Sequence, residues 1–152
     1  MDDFYTSTEA AQITGCSRRQ LQYWREKGVV VPTVNPSGKG RNVYYSQTDL
    51  LALTVMEYLL SMGLSFEVCQ EVLETLKASE SWLFQPSVLE GQMKRFMLLL
   101  DLKRRCLVNF DSGLALETIN RGWPVVPFWC DRIHQRLRDN LSSFAITGDR
   151  II

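Results

Sequence analysis

Several features are scarce in this chain of 152 residues. It has one histidine, and its four cysteines (Cys16, Cys69, Cys106 and Cys130) stand 53, 37 and 24 residues apart. No CxxC occurs, so the pattern fits neither a disulfide framework nor a zinc finger, and reduced cytoplasmic thiols are the simplest reading. Long hydrophobic runs are missing too. The longest unbroken apolar stretch, Trp123 to Cys130, is eight residues with two prolines included, whereas a membrane span needs about twenty. Met-Asp-Asp opens the chain with neither a basic stretch nor an apolar one, so no signal peptide is expected. Net charge is absent, with 17 Lys+Arg against 17 Asp+Glu. That balance excludes a highly charged disordered tail and a uniformly basic nucleic-acid binder. No nucleophile pattern surrounds the single histidine, and neither a Gly-rich phosphate loop nor a carboxylate pair stands out, so no enzyme and no cofactor is expected. What is present is a 45% hydrophobic composition, enough for one packed domain or a small domain with an appendage.

Charge is unevenly placed. From Gly15 to Tyr45 six basic residues (Arg18, Arg19, Arg25, Lys27, Lys39, Arg41) face one acid, Glu26, for a net +5. From Ser46 to Lys77 five acids face one lysine, for a net −4. A neutral total therefore hides a basic N-terminal stripe able to follow a phosphate backbone.

Thr6-x-x-Glu9 is a capping box, predicting a short helix with Ala10, Ala11 and Ile13 inward and a stop at Gly15. Ser17-x-x-Gln20 is a second capping box, opening a helix to about Lys27. There Leu21 and Trp24 face inward, and Arg18, Gln22 and Arg25 form the outer stripe, with Arg19 and Tyr23 beside it. Two short helices joined by a glycine turn make a helix-turn-helix. Val29 to Val31 then reads as a strand, residues 35–40 as a turn-rich loop, and Val43 to Tyr45 as a returning strand: a hairpin with a basic tip, or wing. Ser46-x-x-Asp49 caps a third helix to about Met62. Ser65 starts a fourth to about Ala78, with Phe66, Cys69, Leu73 and Leu76 inside and Glu67, Glu71 and Glu74 in water.

The pattern breaks between Ser79 and Pro86, which places a boundary between residues 1–78 and 79–152. Beyond it, Phe96 to Leu100 and Cys106 to Phe110 read as two strands turning at residues 102–104. The alternative is one long coiled-coil helix, because Leu89, Met93, Phe96, Leu100, Lys103, Leu107 and Phe110 repeat at 4,3 spacing. Gly91 and Lys103 favour the hairpin. A helix from Leu114 to Arg121, an extended Pro124 to Phe128 and a last helix from Trp129 to Asn140 complete the reading. The fold class is mainly α with small β elements: a winged helix-turn-helix followed by a small α+β module.

Tyr5-Thr6, Glu9-Ala10-Ala11, Thr14-Gly15-Cys16-Ser17, Leu21, Tyr23-Trp24 and Lys27-Gly28 form one linked set of motifs. Tyr45-Ser46, Asp49-Leu50 and Met62-Gly63-Leu64-Ser65 complete it. In these residues, over roughly half the chain, the sequence resembles the MerR family of winged-helix transcription regulators. The resemblance implies a cytoplasmic, nucleoid-associated homodimer on a near-palindromic site in double-stranded DNA, with RNA polymerase as a further partner. It also implies a second helix in the major groove and a wing on the flanking backbone. By position, Arg18, Arg19 and Gln20 fall where recognition-helix contacts are made, and Tyr23 where a tyrosine meets phosphate. Lys39 and Arg41 fall on the wing, which Tyr45 closes. Gln22 stands in place of a common Arg, and Arg25 in place of a common acid. The alternative function is a signalling adaptor or second-messenger receptor of the same fold acting through a protein partner.

Trp123, Trp129, Arg132 and Arg136 are the candidate effector-binding residues, offering an aromatic wall and cations to a small anionic or aromatic molecule. Packing for the aromatics and a solvated face for the arginines are the plainer alternatives. Cys130 and His134, four apart, can share a metal, but two ligands leave a zinc site incomplete, so no metal is expected. Cys69 and Cys106 are both expected to be committed to packing.

Overall fold

The computed structural model describes residues 3–36, 42–88, 93–100 and 105–151, with side chains described for all of them except 105 and 147–151. The wing-tip residues Lys39 and Arg41 and the predicted turn at residues 102–104 lie outside the described residues.

The N-terminal helices begin and end where their own residues dictate. α1 (Ser7–Thr14) and α2 (Arg18–Glu26) each start with a complete capping box, Thr6 with Glu9 and Ser17 with Gln20. Each such cap satisfies backbone N–H groups that a helix start leaves bare and contributes about 1 kcal/mol. Gly15 ends α1 at φ 82°, a left-handed conformation that a Cβ would penalise. α3 (Gln47–Ser61) has a third capping box, Ser46 with Asp49, and α4 (Phe66–Ser79) is capped by Ser65. α3 is buried from Leu50 to Met56 and again at Leu59, because α1, α4 and α6 all pack around it. Its apolar residues run almost without interruption, as befits a helix covered on all sides.

The valines after α2 do not form the expected strand. Gly28 turns the chain at φ 71°, and the amides of Val29 and Val30 donate back to the Trp24 carbonyl at 2.8 and 3.4 Å. Both valines are thereby driven into the core beside Trp24. The extended pairing sits further on, where Val34 bridges Tyr44 and Tyr5 bridges Tyr45.

The segment predicted as a boundary holds a 3-10 turn, Ser81–Phe84, whose Leu83 and Phe84 are buried. A three-stranded antiparallel sheet follows in the order β2-β1-β3, built from β1 (Arg95–Leu100), β2 (Arg105–Asn109) and β3 (Val125–Trp129). β1 and β2 pair as a hairpin, with Leu98 opposite Leu107. The alternative of one long helix through these residues does not occur. α5 (Ser112–Asn120), capped by Asp111, joins β2 to β3 and packs against β3.

α6 (Cys130–Ile151) runs eleven residues past the expected end at Asn140. Leu137, Leu141 and Phe144 continue its apolar face at 4,3 spacing onto α1 and α3. One buried cluster runs from Ala10 and Trp24 through α3 and α4 to Phe96, Phe128 and Leu137. Among the described residues no helix is long and apolar enough to cross a membrane, and every buried side-chain nitrogen or oxygen has a hydrogen-bond partner.

Candidate nucleic-acid interface and a second cleft

The turn between α1 and α2 is fixed from beneath. The Thr14 hydroxyl donates to the Ala10 carbonyl at 2.7 Å and accepts the Cys16 amide at 3.3 Å. The Cys16 thiol points at the Leu53 carbonyl of α3, 3.7 Å away, and burial pushes its pKa up to about 11. With Leu21 and Trp24 buried below, α2 turns its other face to solvent.

On that face Arg18 and Arg19 are exposed at the N-terminal turn. Gln20 is half-buried and engaged in the cap: its Oε1 accepts the Ser17 backbone N–H at 2.8 Å, while its own backbone N–H donates to the Ser17 hydroxyl. Tyr23 is exposed, its ring edge-to-face with Phe66 at 5.3 Å and Lys27 above it at 5.7 Å. Arg25 is turned aside, its Nε donating to Asn35 Oδ1 at 2.7 Å, which ties α2 to the base of the wing. Tyr45 does not belong with this set. Only 1% of it is exposed, because its backbone pairs with Tyr5 and its ring enters the core. Its place in closing the wing is structural rather than DNA-facing.

The wing base is held by a residue that the sequence reading passed over as a helix cap alone. Asp49 Oδ2 accepts the Thr33 amide and hydroxyl, both at 2.7 Å, and the Ser46 amide at 2.9 Å. Lys77 Nζ donates to the Val29 carbonyl at 3.3 Å from the other side, and burial pulls its pKa below the usual lysine value.

A second constellation lies between the end of α3 and the start of α6. A cleft of about 260 Å3 is lined by Tyr58, Pro127, Trp129, Arg132, Ile133 and Arg136. It unites three of the four candidate effector residues and leaves out Trp123, whose amide bonds to the Thr118 carbonyl beside α5. Sequence reasoning missed Tyr58 and Glu57. Tyr58 donates its hydroxyl to the Pro127 carbonyl and sets its ring edge-to-face on Phe128 at 5.8 Å. Glu57 accepts Arg136 at 2.7 Å, and the Arg136 guanidinium lies 5.8 Å from the centre of the Tyr58 ring. The available signal was that Glu57 is the lone charged residue between Asp49 and Glu67.

Cys130 and His134 are both buried. The His134 Nε2 is 2.6 Å from the Leu83 carbonyl, which can only accept, so Nε2 carries the proton and donates. Burial lowers the His134 pKa below 6.5 and raises that of the Cys130 thiol to about 12. Among the described residues no three metal-ligating side chains come together. Cys106 departs from expectation: it is exposed, alternating along β2 with Leu107, which packs against the core.

A capped pair of helices with a glycine turn, an exposed basic end on the second helix and a wing base anchored to the third defines a helix-turn-helix protein. Residues 5–76 match the family model described as MerR HTH family regulatory protein. Similar relatives are uncharacterized HTH-type transcriptional regulators of Mycobacterium bovis and Mycobacterium tuberculosis, 34% identical over 74 residues. The alignment takes in 48% of this chain and 33% of each relative, so the match spans about a third of the curated relatives' length.

Proposed function

We propose that the chain is a sequence-specific DNA-binding transcription regulator, acting as a homodimer on a near-palindromic site. Residues 1–78 are the DNA-binding unit, and residues 79–152 carry dimerisation and the response to an effector. The observation that carries this reading is the pair Arg18 and Arg19, exposed at the capped end of α2 in a segment of MerR type. That end of a recognition helix meets base edges in the major groove, and arginine there can grip guanine in a bidentate manner. Tyr23, beside Lys27, takes a phosphate. Lys39 and Arg41 follow the flanking backbone from the wing, adding affinity with little sequence information.

Dimerisation draws support from α5, which leaves Leu114, Leu116 and Ile119 exposed, with Phe110 also exposed just before it. Apolar side chains grouped in this way are characteristic of an interaction surface.

Sequencing the DNA recovered with purified protein tests the reading. The expected result is an enriched inverted repeat, bound with a steep salt dependence. Arg19→Ala then weakens the best fragment by about 1–3 kcal/mol. Unchanged affinity in both Arg18→Ala and Arg19→Ala refutes the assignment. Salt-dependent binding to no duplex at all transfers the reading to a signalling adaptor of the same fold.

A further inference from the structure

We infer that the cleft between α3 and α6 is a receptor site for a small aromatic carboxylate, whose acid group draws Arg136 away from Glu57. The inference rests on the regulator reading only for its output, the setting of the helix-turn-helix.

Three features of the cleft select that ligand. Its walls are Tyr58, Trp129, Pro127 and Ile133, so it offers aromatic and aliphatic surface to a flat ring. Its volume, about 260 Å3, suits a single-ring acid and is small for a nucleotide. Its cations are Arg132 and Arg136, one helical turn apart on the same face of α6. Arg132 makes no hydrogen bond or ion pair with any described residue. The neighbouring acid, Asp131, is occupied by Arg95 at 3.0 Å. Asp131 also acts on Arg132 through space but makes its hydrogen bonds to Arg95, so an exposed cation with no hydrogen-bonded partner stands beside an apolar wall and suits an anion with an apolar body.

The second cation is already engaged. Arg136 holds Glu57 at 2.7 Å, and a ligand carboxylate reaching it competes with that carboxylate. Glu57 in turn lies beside the helix-turn-helix: it shares a cleft with Gly15, and its charge adds to burial in raising the pKa of the neighbouring Cys16 thiol. Gly15, Glu57 and Arg136 also line an adjoining cleft of about 460 Å3. Arg136 is thus a wall shared by both clefts, and exchanging its partner alters the support under the turn that aims Arg18 and Arg19. Binding in the cleft and the setting of α2 are then coupled, each favouring its matching state of the other.

Calorimetry on the full chain, without DNA, provides the test. The probes are benzoate and salicylate, with benzamide as the uncharged control. The acids should bind saturably, one per chain, with Kd of about 0.1–1 mM, and benzamide at least about tenfold more weakly. Arg132→Gln should weaken the acids about tenfold, and Trp129→Leu should weaken them as well. Glu57→Gln should tighten them by about threefold or more, because Arg136 is released. In a parallel NMR titration, the Gly15 amide should shift in the wild type and stay still in Glu57→Gln.

The receptor site is overturned by any of three results: no saturation up to about 10 mM acid, benzamide equal to benzoate, or undiminished affinity in a folded Arg132→Gln. The coupling is overturned if the Gly15 amide does not move while the acid binds. With no DNA present, failure here leaves the DNA-binding reading intact, and failure to bind any duplex leaves the calorimetric result standing.

Discussion

The two halves of the molecule reach order by different means. From Tyr5 to Leu76 nearly every element is punctuated by its own sequence. Capping boxes open α1, α2 and α3, and Gly15, Gly28 and Gly63 turn the chain at positive φ. From Arg95 onward, few of the residues at an element's ends specify it. β1 is a strand because β2 and β3 flank it on both sides, and the polar ties reach far along the chain. The lesson is that an element specified locally tolerates a poor neighbour, whereas one specified by pairing depends on its partner.

The largest expected effect tests how separate the halves are. Trp24, from the first half of the chain, and Phe128, from the second, belong to one buried cluster, both almost wholly enclosed. Trp24→Ala and Phe128→Ala should each cost about 3–5 kcal/mol. Both should lower a single shared transition in chemical denaturation followed by far-ultraviolet dichroism. Two transitions, with only one moved by each substitution, would divide the cluster into independent cores.

A smaller effect is expected where local and distant specification meet. Asp49 caps α3 and also holds Thr33 at the wing base. Asp49→Ala should cost about 1–3 kcal/mol, more than removal of a cap alone. Asp49→Ala in a Thr33→Val background separates the two contributions as a double-mutant cycle.

The ties of the second half can be loosened by protons. His134 is buried with its pKa below the usual imidazole value. Its native state binds fewer protons than its unfolded state, so stability is retained above about pH 6.5 and lost as pH falls toward the lower folded value. The slope should not exceed about 1.4 kcal/mol per pH unit. Urea midpoints between pH 7.5 and 5.5 should show the decline, and His134→Gln should flatten it.

The mildest test leaves the fold unchanged. Cys16, Cys69 and Cys130 are buried with raised pKa values, whereas Cys106 is exposed on the edge strand. A thiol reagent should therefore modify one cysteine quickly in the native protein and the other three only after unfolding. Mass spectrometry of the labelled peptides identifies which one.

The same contrast explains what the sequence disclosed. Helix starts in the first half were legible because a cap is two side chains three residues apart. The exposed Arg18 and Arg19 followed directly from the inward Leu21 and Trp24. Val29 to Val31 misled because β-branched residues favour strands, yet a preceding glycine turned the Val29 and Val30 amides back onto Trp24. Cys106 misled because it was grouped with its apolar neighbours, whereas successive strand residues face opposite ways and Leu107 takes the core side. α6 continued past Asn140 on the spacing of Leu137, Leu141 and Phe144, a signal present in the sequence and cut short too early. Trp123 and Trp129 looked alike as neighbours in sequence. Only the packing of β3 against α3 decided which one faced Arg136.

The reach of two hydrogen bonds bears on how the chain must be made. The Tyr58 hydroxyl awaits Pro127, 69 positions later, and the Leu83 carbonyl awaits His134, 51 positions later. During synthesis α1 and α2 can form at once from local signals. The apolar surface of α3, by contrast, emerges well before the strand and helix that roof it. Closing such long loops is slow compared with forming a helix. A nascent chain stalled near residue 120 would therefore present bare Leu and Val surface to its neighbours, and chaperone demand should peak over that interval.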